Sequence, residues 1–367
     1  DAGGVPWRSF GLAMAVAALA TVAAALQEFT YPFVLTGGGP DRATATPLLA
    51  VFTTGLGPAV LPAAGACAML LGLLAALGLG ATVLLLRTGA RLEVDPTLRS
   101  GDDQPGWDTG RVLAALATKV LVTVVLAVAG YALWPWLAAL VAGTAPPPGA
   151  VSDATMFANT WLPPPAGTVI GVAAAAAAGY GIGPLRPLGP RSELLLLLPF
   201  APFLFVGVGP LALPAYVGGV TADRFDTVLG LLPPTRLSVP ALFVFTLLAR
   251  GQAVRAALAR RDGERQAWTV TRLRPALPML GVVAVVAWVV SAQDLLWPVL
   301  SGSGRWATGP VRLYQVVSGG AVGGPAPVAL ALPGWLVLVL LVVAVVTGVR
   351  YLGRVALRTG DGGESGA

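Results

Sequence analysis

The chain has 367 residues, of which 56% are apolar and 11% charged, with a net charge of +6 and a mean hydropathy of +0.79. This composition is too apolar for a soluble domain and predicts a membrane protein. With no His and one Cys, an intrachain disulfide, a His-ligated metal site and Cys–His catalysis are excluded. The basic residues lie in short segments between apolar runs, so the charge indicates membrane topology and not nucleic-acid binding.

Apolar runs of the length that crosses a bilayer, about 20 residues, recur along the whole chain. The eight candidate spans are 11–29, 58–86, 112–141, 166–183, 194–219, 227–249, 276–297 and 328–349. The run 227–249 is the weakest, because Pro233, Pro234 and Arg236 interrupt it. We therefore predict an all-α integral membrane protein with about eight transmembrane helices.

The arginines predict the orientation of these spans. If the first span begins in the cytoplasm, 17 of the 22 arginines fall in inside segments and 5 in outside segments. The count requires the run 227–249 to cross, since otherwise the seven arginines between 250 and 274 would lie outside. Lys119, inside the run 112–141, is expected to snorkel to the inner face. Both termini are thus predicted to be cytoplasmic.

A short motif occurs twice, each time at the end of an apolar run. Gln27–Pro32 reads QEFTYP, and Gln293–Pro298, 266 positions later, reads QDLLWP. An acidic turn precedes each run, at Asp1–Arg8 and at Asp262–Trp268. Duplicated modules around one pathway are typical of transporters.

The segment after the first copy, Phe33–Thr44 (FVLTGGGPDRAT), resembles the exit loop of the first membrane subunit of maltose-type ABC sugar importer permeases. From residue 111 onward the chain resembles the second membrane subunit of the same system. Asn159–Thr160 begins its second span and Gly179–Gly183 ends it. The resemblance implies the type I ABC importer permease fold in a bacterial plasma membrane.

The segment Ala257–Gly263 resembles the family's coupling loop, a short cytoplasmic helix that docks on the ATPase subunit. Asp262 and Gly263 match it, whereas Ala257 and Leu258 stand where the family has Glu and Ala, followed by the matching Ala259. The resemblance assigns coupling to Ala257, Ala259, Asp262 and Gly263, and to Asp1 and Ala2 in the first unit. The arginine-rich segment could also simply bind anionic lipid head groups.

The same resemblance implies a fusion of two permease units. Residues 1–90 would be the last two spans of an N-terminally incomplete first unit, 91–110 a cytoplasmic linker and 111–358 a complete six-span second unit. Residues 359–367 have the composition of a disordered tail. The first unit would continue upstream of Asp1.

An importer permease of this kind has no catalytic residues and no cofactor or metal of its own. The resemblance implies that separate ATPase subunits bind ATP and Mg²⁺ and that an extracytoplasmic solute-binding protein delivers a sugar. Candidate pathway residues stand in the two motif copies: Gln27, Glu28, Tyr31, Gln293, Asp294 and Trp297. For the carboxylates a plain interfacial role is equally compatible, and Trp297 also fits an aromatic belt.

Two other functions remain open from the sequence. A membrane-embedded transferase acting on a lipid-linked substrate would need an acidic pair, and Asp102–Asp103 is the adjacent one. The altered coupling segment also fits a decayed permease that serves only as a scaffold.

Overall fold

The structure, a computed structural model, describes residues 7–55, 60–94, 109–142, 151–223, 225, 227–234, 238–261, 274–302, 304–319 and 328–360. Within these ranges the chain forms thirteen α-helices and two short strands. The long helices are α1 (Trp7–Leu26), α3 (Val60–Arg87), α4 (Thr109–Ala142), α6 (Pro163–Tyr180), α9 (Val239–Arg261), α10 (Arg274–Ala292) and α13 (Gly334–Arg350). The shorter helices are α2 (Pro47–Gly55), α5 (Asp153–Trp161), α7 (Ser192–Leu197), α8 (Val208–Thr221), α11 (Leu296–Ser301) and α12 (Gly309–Ser318).

Six helical stretches in the described ranges are long and apolar enough to cross a membrane. They are Trp7–Leu26, Pro62–Arg87, Asp153–Leu185, Val239–Arg261, Pro275–Ala292 and Gly334–Arg354. The chain is therefore a multi-pass, all-α membrane protein. The predicted run 112–141 lies within α4, whose part Gly130–Ala142 is a shorter apolar helix.

The weakest predicted span contains a helix, but in a different place. The helix α9 begins at Val239, after Pro233 and Pro234, and runs on to Arg261. Proline lacks a backbone N–H and clashes with the preceding turn, so the helix starts only beyond the two prolines. The run 227–249 was thus placed 12 residues too early at both ends.

The predicted run 194–219 is not one helix. It is divided into α7, a 3₁₀ turn at Ala201–Phe203 and α8, which begins after Gly207. Pro199 and Pro202 end the first helical segment for the reason given above. We refer to residues 192–221 as the broken segment.

The long helices run between two ends of the bundle. At one end Ser9 Oγ lies 3.3 Å from Thr359 Oγ1, and the Tyr351 hydroxyl donates to the Pro275 carbonyl at 2.7 Å. At the other end, Gln27 contacts Gly207, which precedes α8. The apolar core between the two ends is centred on α9, against which α3, α6, α10 and the broken segment contribute buried side chains.

Close approach of α6 and α9 depends on glycine. A Cβ on Gly179 would lie 2.7 Å from the Thr246 backbone nitrogen, and one on Gly183 would lie 2.9 Å from the Thr246 carbonyl oxygen. These distances are too short for any larger residue, so the pair of glycines sets the helix separation. The segment Gly179–Gly183 was predicted to end a span, and its first and last glycines have a packing role in the structure.

The helices α1 and α13 and the described side chains of α4 carry apolar groups on their outer surfaces. Trp335, Leu338 and Val342 on α13 are exposed, as are Tyr131 and Trp134 on α4. A helix that is apolar on its exposed side is typical of a protein surrounded by lipid.

Two strands close one end of the bundle in a pairing that the sequence analysis missed. Strand β1 (Arg91–Val94) pairs antiparallel with β2 (Val355–Arg358), Arg91 opposite Arg358 and Val94 opposite Val355. We call these eight residues the clasp, and the end of the bundle where they lie the clasp end. The clasp joins the first residues of the predicted linker to the last residues of the predicted second unit.

The predicted disordered tail is held at its start. The Gly360 amide donates to the Thr88 carbonyl at 2.8 Å, and Arg91 Nη1 donates to the Gly360 carbonyl at 2.6 Å. The rest of that tail, 361–367, and most of the predicted linker, 95–108 with Asp102–Asp103, lie outside the described residues.

The clasp also binds α9. The Arg255 guanidinium donates to the Val94 carbonyl, and Gly251 packs directly against the Leu92 carbonyl oxygen. The Glu93 carboxylate is bonded to Arg91 Nε at 2.6 Å and to Arg358 Nε at 3.0 Å. The ends of α3, α9 and α13 are therefore fastened together.

A second buried carboxylate lies beside the clasp. Glu193, at the start of the broken segment, is 2.8 Å from Arg250 Nη1 and 3.5 Å from Arg186 Nη2. The Glu193 side chain is 12% exposed and that of Arg250 is 13% exposed. This group, the Glu193 cluster, ties the broken segment to α9.

Candidate solute site beside the broken segment

The broken segment interrupts the bundle with irregular backbone at a depth where neighbouring chain is helical. A helix satisfies its own N–H and C=O groups, whereas a break leaves several of them without partners. In a membrane such a break is stable only where protein groups or a cavity satisfy them. Both conditions are met here.

The first motif copy supplies the missing partners. Gln27 Nε2 donates to the Phe205 carbonyl at 2.7 Å, and its Oε1 accepts from the Gly207 amide at 2.7 Å. The same Nε2 donates to the Ala23 carbonyl at 2.9 Å, which fixes the side chain on its own helix. Gln27 therefore joins the end of α1 to the break before α8 by hydrogen bonds.

The second motif copy makes an equivalent contact with another turn. Gln293 Nε2 donates to the carbonyl of Ala331, which lies in the turn before α13, at 3.1 Å. In both copies, then, the glutamine at the end of a long helix bonds irregular backbone that leads into a further helix.

The acidic residue of each copy caps the turn that follows it. Glu28 Oε1 accepts from the Tyr31 amide at 3.2 Å. Asp294 accepts from the Leu296 and Trp297 amides, each at 3.3 Å. Carboxylates stabilise free backbone N–H groups at such positions, so a local capping role accounts for both residues.

The aromatic residues of the two copies differ in their surroundings. Tyr31 is 70% exposed, whereas Trp297 is only 6% exposed and donates from Nε1 to the Gly230 carbonyl at 2.8 Å. The interpretation of Trp297 as part of an interfacial aromatic belt is therefore wrong, because its ring is enclosed by protein. It packs near Phe225, with ring centroids 6.4 Å apart.

Two cavities lie beside the broken segment. One has a volume of about 500 Å³ and is lined by the broken segment, from Pro199 to Leu211, with parts of α6, α9 and α10. We call it the hydroxyl cavity, because Thr168, Ser238 and Ser291 line it. The second, the tryptophan cavity, has a volume of about 780 Å³ and is lined by Trp297, Phe225 and part of α8.

The two cavities are adjacent, and the tryptophan cavity touches the second motif copy. Gly167, Pro233 and Pro234 line both of them. Gly207, which Gln27 holds, lines the hydroxyl cavity, and Trp297 lines the tryptophan cavity. We call this side of the bundle the cavity end.

Of the six predicted pathway residues, Trp297 lines a cavity, and Gln27 bonds Gly207 in the wall of the other cavity without lining it. Glu28 and Asp294 cap local turns, Gln293 braces the turn before α13, and Tyr31 projects from the surface.

Sequence reasoning missed most of the cavity wall, namely Phe200, Phe203, Thr168, Ser238 and Ser291. A signal for it was present in Pro199, Pro202 and Gly207–Pro210, which interrupt an apolar run and mark a break.

The predicted coupling residues fall at the other end. Ala257 is exposed and Ala259 half-buried in the last turns of α9, so both belong to the long helix itself rather than to a separate short one. Asp262, Gly263, Asp1 and Ala2 lie outside the described residues.

No group of three or more Cys, Asp or Glu in the described part of the chain is placed to hold a metal ion. No model of a known protein family matches the chain, and no curated protein matches it either.

Proposed function

We propose that this chain is the membrane-spanning permease of an ABC importer that moves a sugar or oligosaccharide inward by alternating access. The observation that carries the proposal is the broken segment, whose irregular backbone lines a cavity and is held by one copy of a duplicated motif. Broken helices around a midplane cavity, set between internal repeats, are a recurrent design of transporters. The resemblance of Phe33–Thr44 and of the second unit to maltose-type permeases supplies the importer class.

Separate ATPase subunits would supply the energy, and an extracytoplasmic solute-binding protein would supply the substrate. The clasp end would face the cytoplasm, because it carries most of the described arginines, among them Arg91, Arg186, Arg250 and Arg358. The end of α9 at Ala257–Arg261 would then lie on the ATPase side. Catalysis would belong to the partners and not to this chain.

The proposal is tested by reconstituting the full chain in liposomes with its ATPase and solute-binding partners. The expected result is ATP-dependent uptake of radiolabelled neutral sugar, which Asp262→Ala reduces without changing the amount of chain in the membrane. Trp297→Phe removes the bond to Gly230 and reshapes the tryptophan cavity, so we expect it to lower uptake several-fold. Trp335→Phe, at an exposed position on α13, is the matched control and should leave uptake unchanged.

A chain that neither copurifies with an ATPase subunit nor supports ATP-dependent uptake would overturn the proposal. Equal loss of uptake in Trp297→Phe and Trp335→Phe would argue against a pathway at the cavity end.

A further inference from the structure

The hydroxyl groups of Thr168, Ser238 and Ser291 distinguish the hydroxyl cavity from the rest of the bundle. Helical Ser and Thr side chains usually donate to the carbonyl four residues earlier. Thr21, Thr82, Thr246, Ser301 and Thr347 all do so here. The helical Thr168 and Ser291 make no such bond, and neither they nor Ser238, just before α9, have a side-chain hydrogen bond within the described residues, although each lines the cavity.

The three hydroxyls come from separate parts of the fold. Thr168 lies on α6, Ser238 just before α9 and Ser291 near the end of α10. All three are half-buried and line the cavity, so a molecule inside it can bond to them. Half-buried polar groups without protein partners favour a ligand or ordered water that bonds to them.

The remaining wall is apolar. Phe200 and Phe203 of the broken segment, with Pro199, Val206 and Val239, provide aromatic and aliphatic surface. Among the described lining residues none is charged. A charged solute would lose its hydration without gaining a counter-charge, whereas an uncharged solute with an apolar face would gain contact area.

We propose that the hydroxyl cavity binds an uncharged, hydroxyl-bearing solute that has one apolar face, through Thr168, Ser238 and Ser291. Its volume of about 500 Å³ lies within the range of small-molecule sites. Gln27 positions the wall by holding Gly207, while the three hydroxyls contact the solute. This proposal rests on the proposed transport function in one respect, namely that the solute bound in the cavity is the one that the protein transports.

Binding is tested without ATPase partners, on the full chain in lipid nanodiscs, by isothermal titration with three probes. Phenyl β-D-glucoside is uncharged and carries an added phenyl ring, glucose is uncharged but has only the small C–H faces of its own ring, and glucose 6-phosphate is charged. We expect phenyl β-D-glucoside to bind most tightly and glucose 6-phosphate not to bind. Thr168→Val, Ser238→Ala and Ser291→Ala should each weaken phenyl glucoside binding about three- to tenfold, as expected for one lost hydrogen bond.

Two controls separate a lost contact from a damaged fold. Thr168→Ser keeps a hydroxyl and should bind like the parent chain, whereas Thr347→Val removes a hydroxyl that is bonded within α13 and should change nothing. Phenyl glucoside binding that is absent, that equals glucose 6-phosphate binding, or that survives loss of all three hydroxyls would overturn the proposal. Retention of a phospholipid in the cavity of the purified chain, detected by native mass spectrometry and not displaced by the glucoside, would also overturn it. Failure of uptake with intact binding would count against the proposed function alone.

Discussion

The two ends of the bundle use their polar side chains in opposite ways. At the clasp end, Glu93 and Glu193 are each bonded to two arginines, and the strand pair closes over α9. At the cavity end, three hydroxyls line a cavity, and Gln27 bonds the backbone of the break at Phe205 and Gly207. Both carboxylates at the clasp end thus have their counter-charges within the chain, while the three hydroxyls at the cavity end are free to bond a solute.

This difference assigns separate tasks to the two ends. Bonds that join α3, α9 and α13 at the clasp end would make these helices move as one body in the proposed transport cycle. Freedom for rearrangement is then concentrated where the broken segment crosses between the ends. If this comparison is correct, substitutions at the clasp end should mainly lower stability, and those at the cavity end should mainly change solute handling.

The largest effect is expected from Glu193→Gln. Removing the charge leaves Arg250, 13% exposed, without its main counter-charge, which costs about 3 kcal/mol for a buried pair. Thermal unfolding can be followed with a thiol-reactive dye, because Cys67 is the only cysteine and is 6% exposed. Glu28→Gln at the cavity end is the matched control, since Glu28 only caps a local turn. Equal losses of stability in the two variants would break the comparison.

The next largest effect is expected from Gly251→Ala. The new Cβ would overlap the Leu92 carbonyl oxygen, and backbone cannot move aside as a flexible side chain can. We expect a loss of about 2 kcal/mol in the free energy of unfolding. Gly281→Ala, on α10 with open space around it, should be neutral or slightly stabilising. A Gly251→Ala chain as stable as its Gly281→Ala counterpart would show that the clasp does not pack tightly on α9.

Five of the eight predicted spans coincide over most of their residues with helices long enough to cross a membrane, because each of these apolar runs carries its own signal. They are 11–29, 58–86, 166–183, 276–297 and 328–349. The predicted helix boundaries were wrong at Pro233–Pro234 and within 194–219. There the residues are apolar enough for a span, but prolines interrupt the helix. Hydropathy averaged over a window of residues does not detect that a proline lacks the backbone N–H needed to continue a helix.

The clasp and the cavity could not be predicted, for a different physical reason. The strands RLEV and VALR are four residues each and lie about 260 positions apart, so neither has a detectable pattern alone. Thr168, Ser238 and Ser291 look like any hydroxyl in or beside an apolar run, and only tertiary placement separates them from Thr82 or Thr246. The duplicated motif was visible, but its glutamines were expected to meet solute, whereas they bond backbone.

Gln27→Leu tests the cavity end directly. The substitution leaves the Gly207 amide and the Phe205 carbonyl without their partner, and water from the adjacent cavity can replace part of the lost bonding. We expect a loss of only about 1.5 kcal/mol in stability, with a larger relative loss in phenyl glucoside affinity because the cavity wall shifts. Gln315→Leu, at an exposed position on α12, is the control. Unchanged affinity in Gln27→Leu, with stability lowered, would show that the break and the cavity are independent.

The smallest effect is expected from Arg358→Ala. Arg358 is 50% exposed, and its partner Glu93 keeps the much more buried Arg91, whose side chain is 12% exposed. A partly solvated ion pair contributes less than about 1 kcal/mol, and added salt should reduce even that. Arg91→Ala should cost more, because it removes both the buried contact to Glu93 and the bond to Gly360. A larger loss of stability in Arg358→Ala than in Arg91→Ala would contradict this order. It would mean that Arg358 on β2 contributes more to the stability of the clasp than Arg91 on β1.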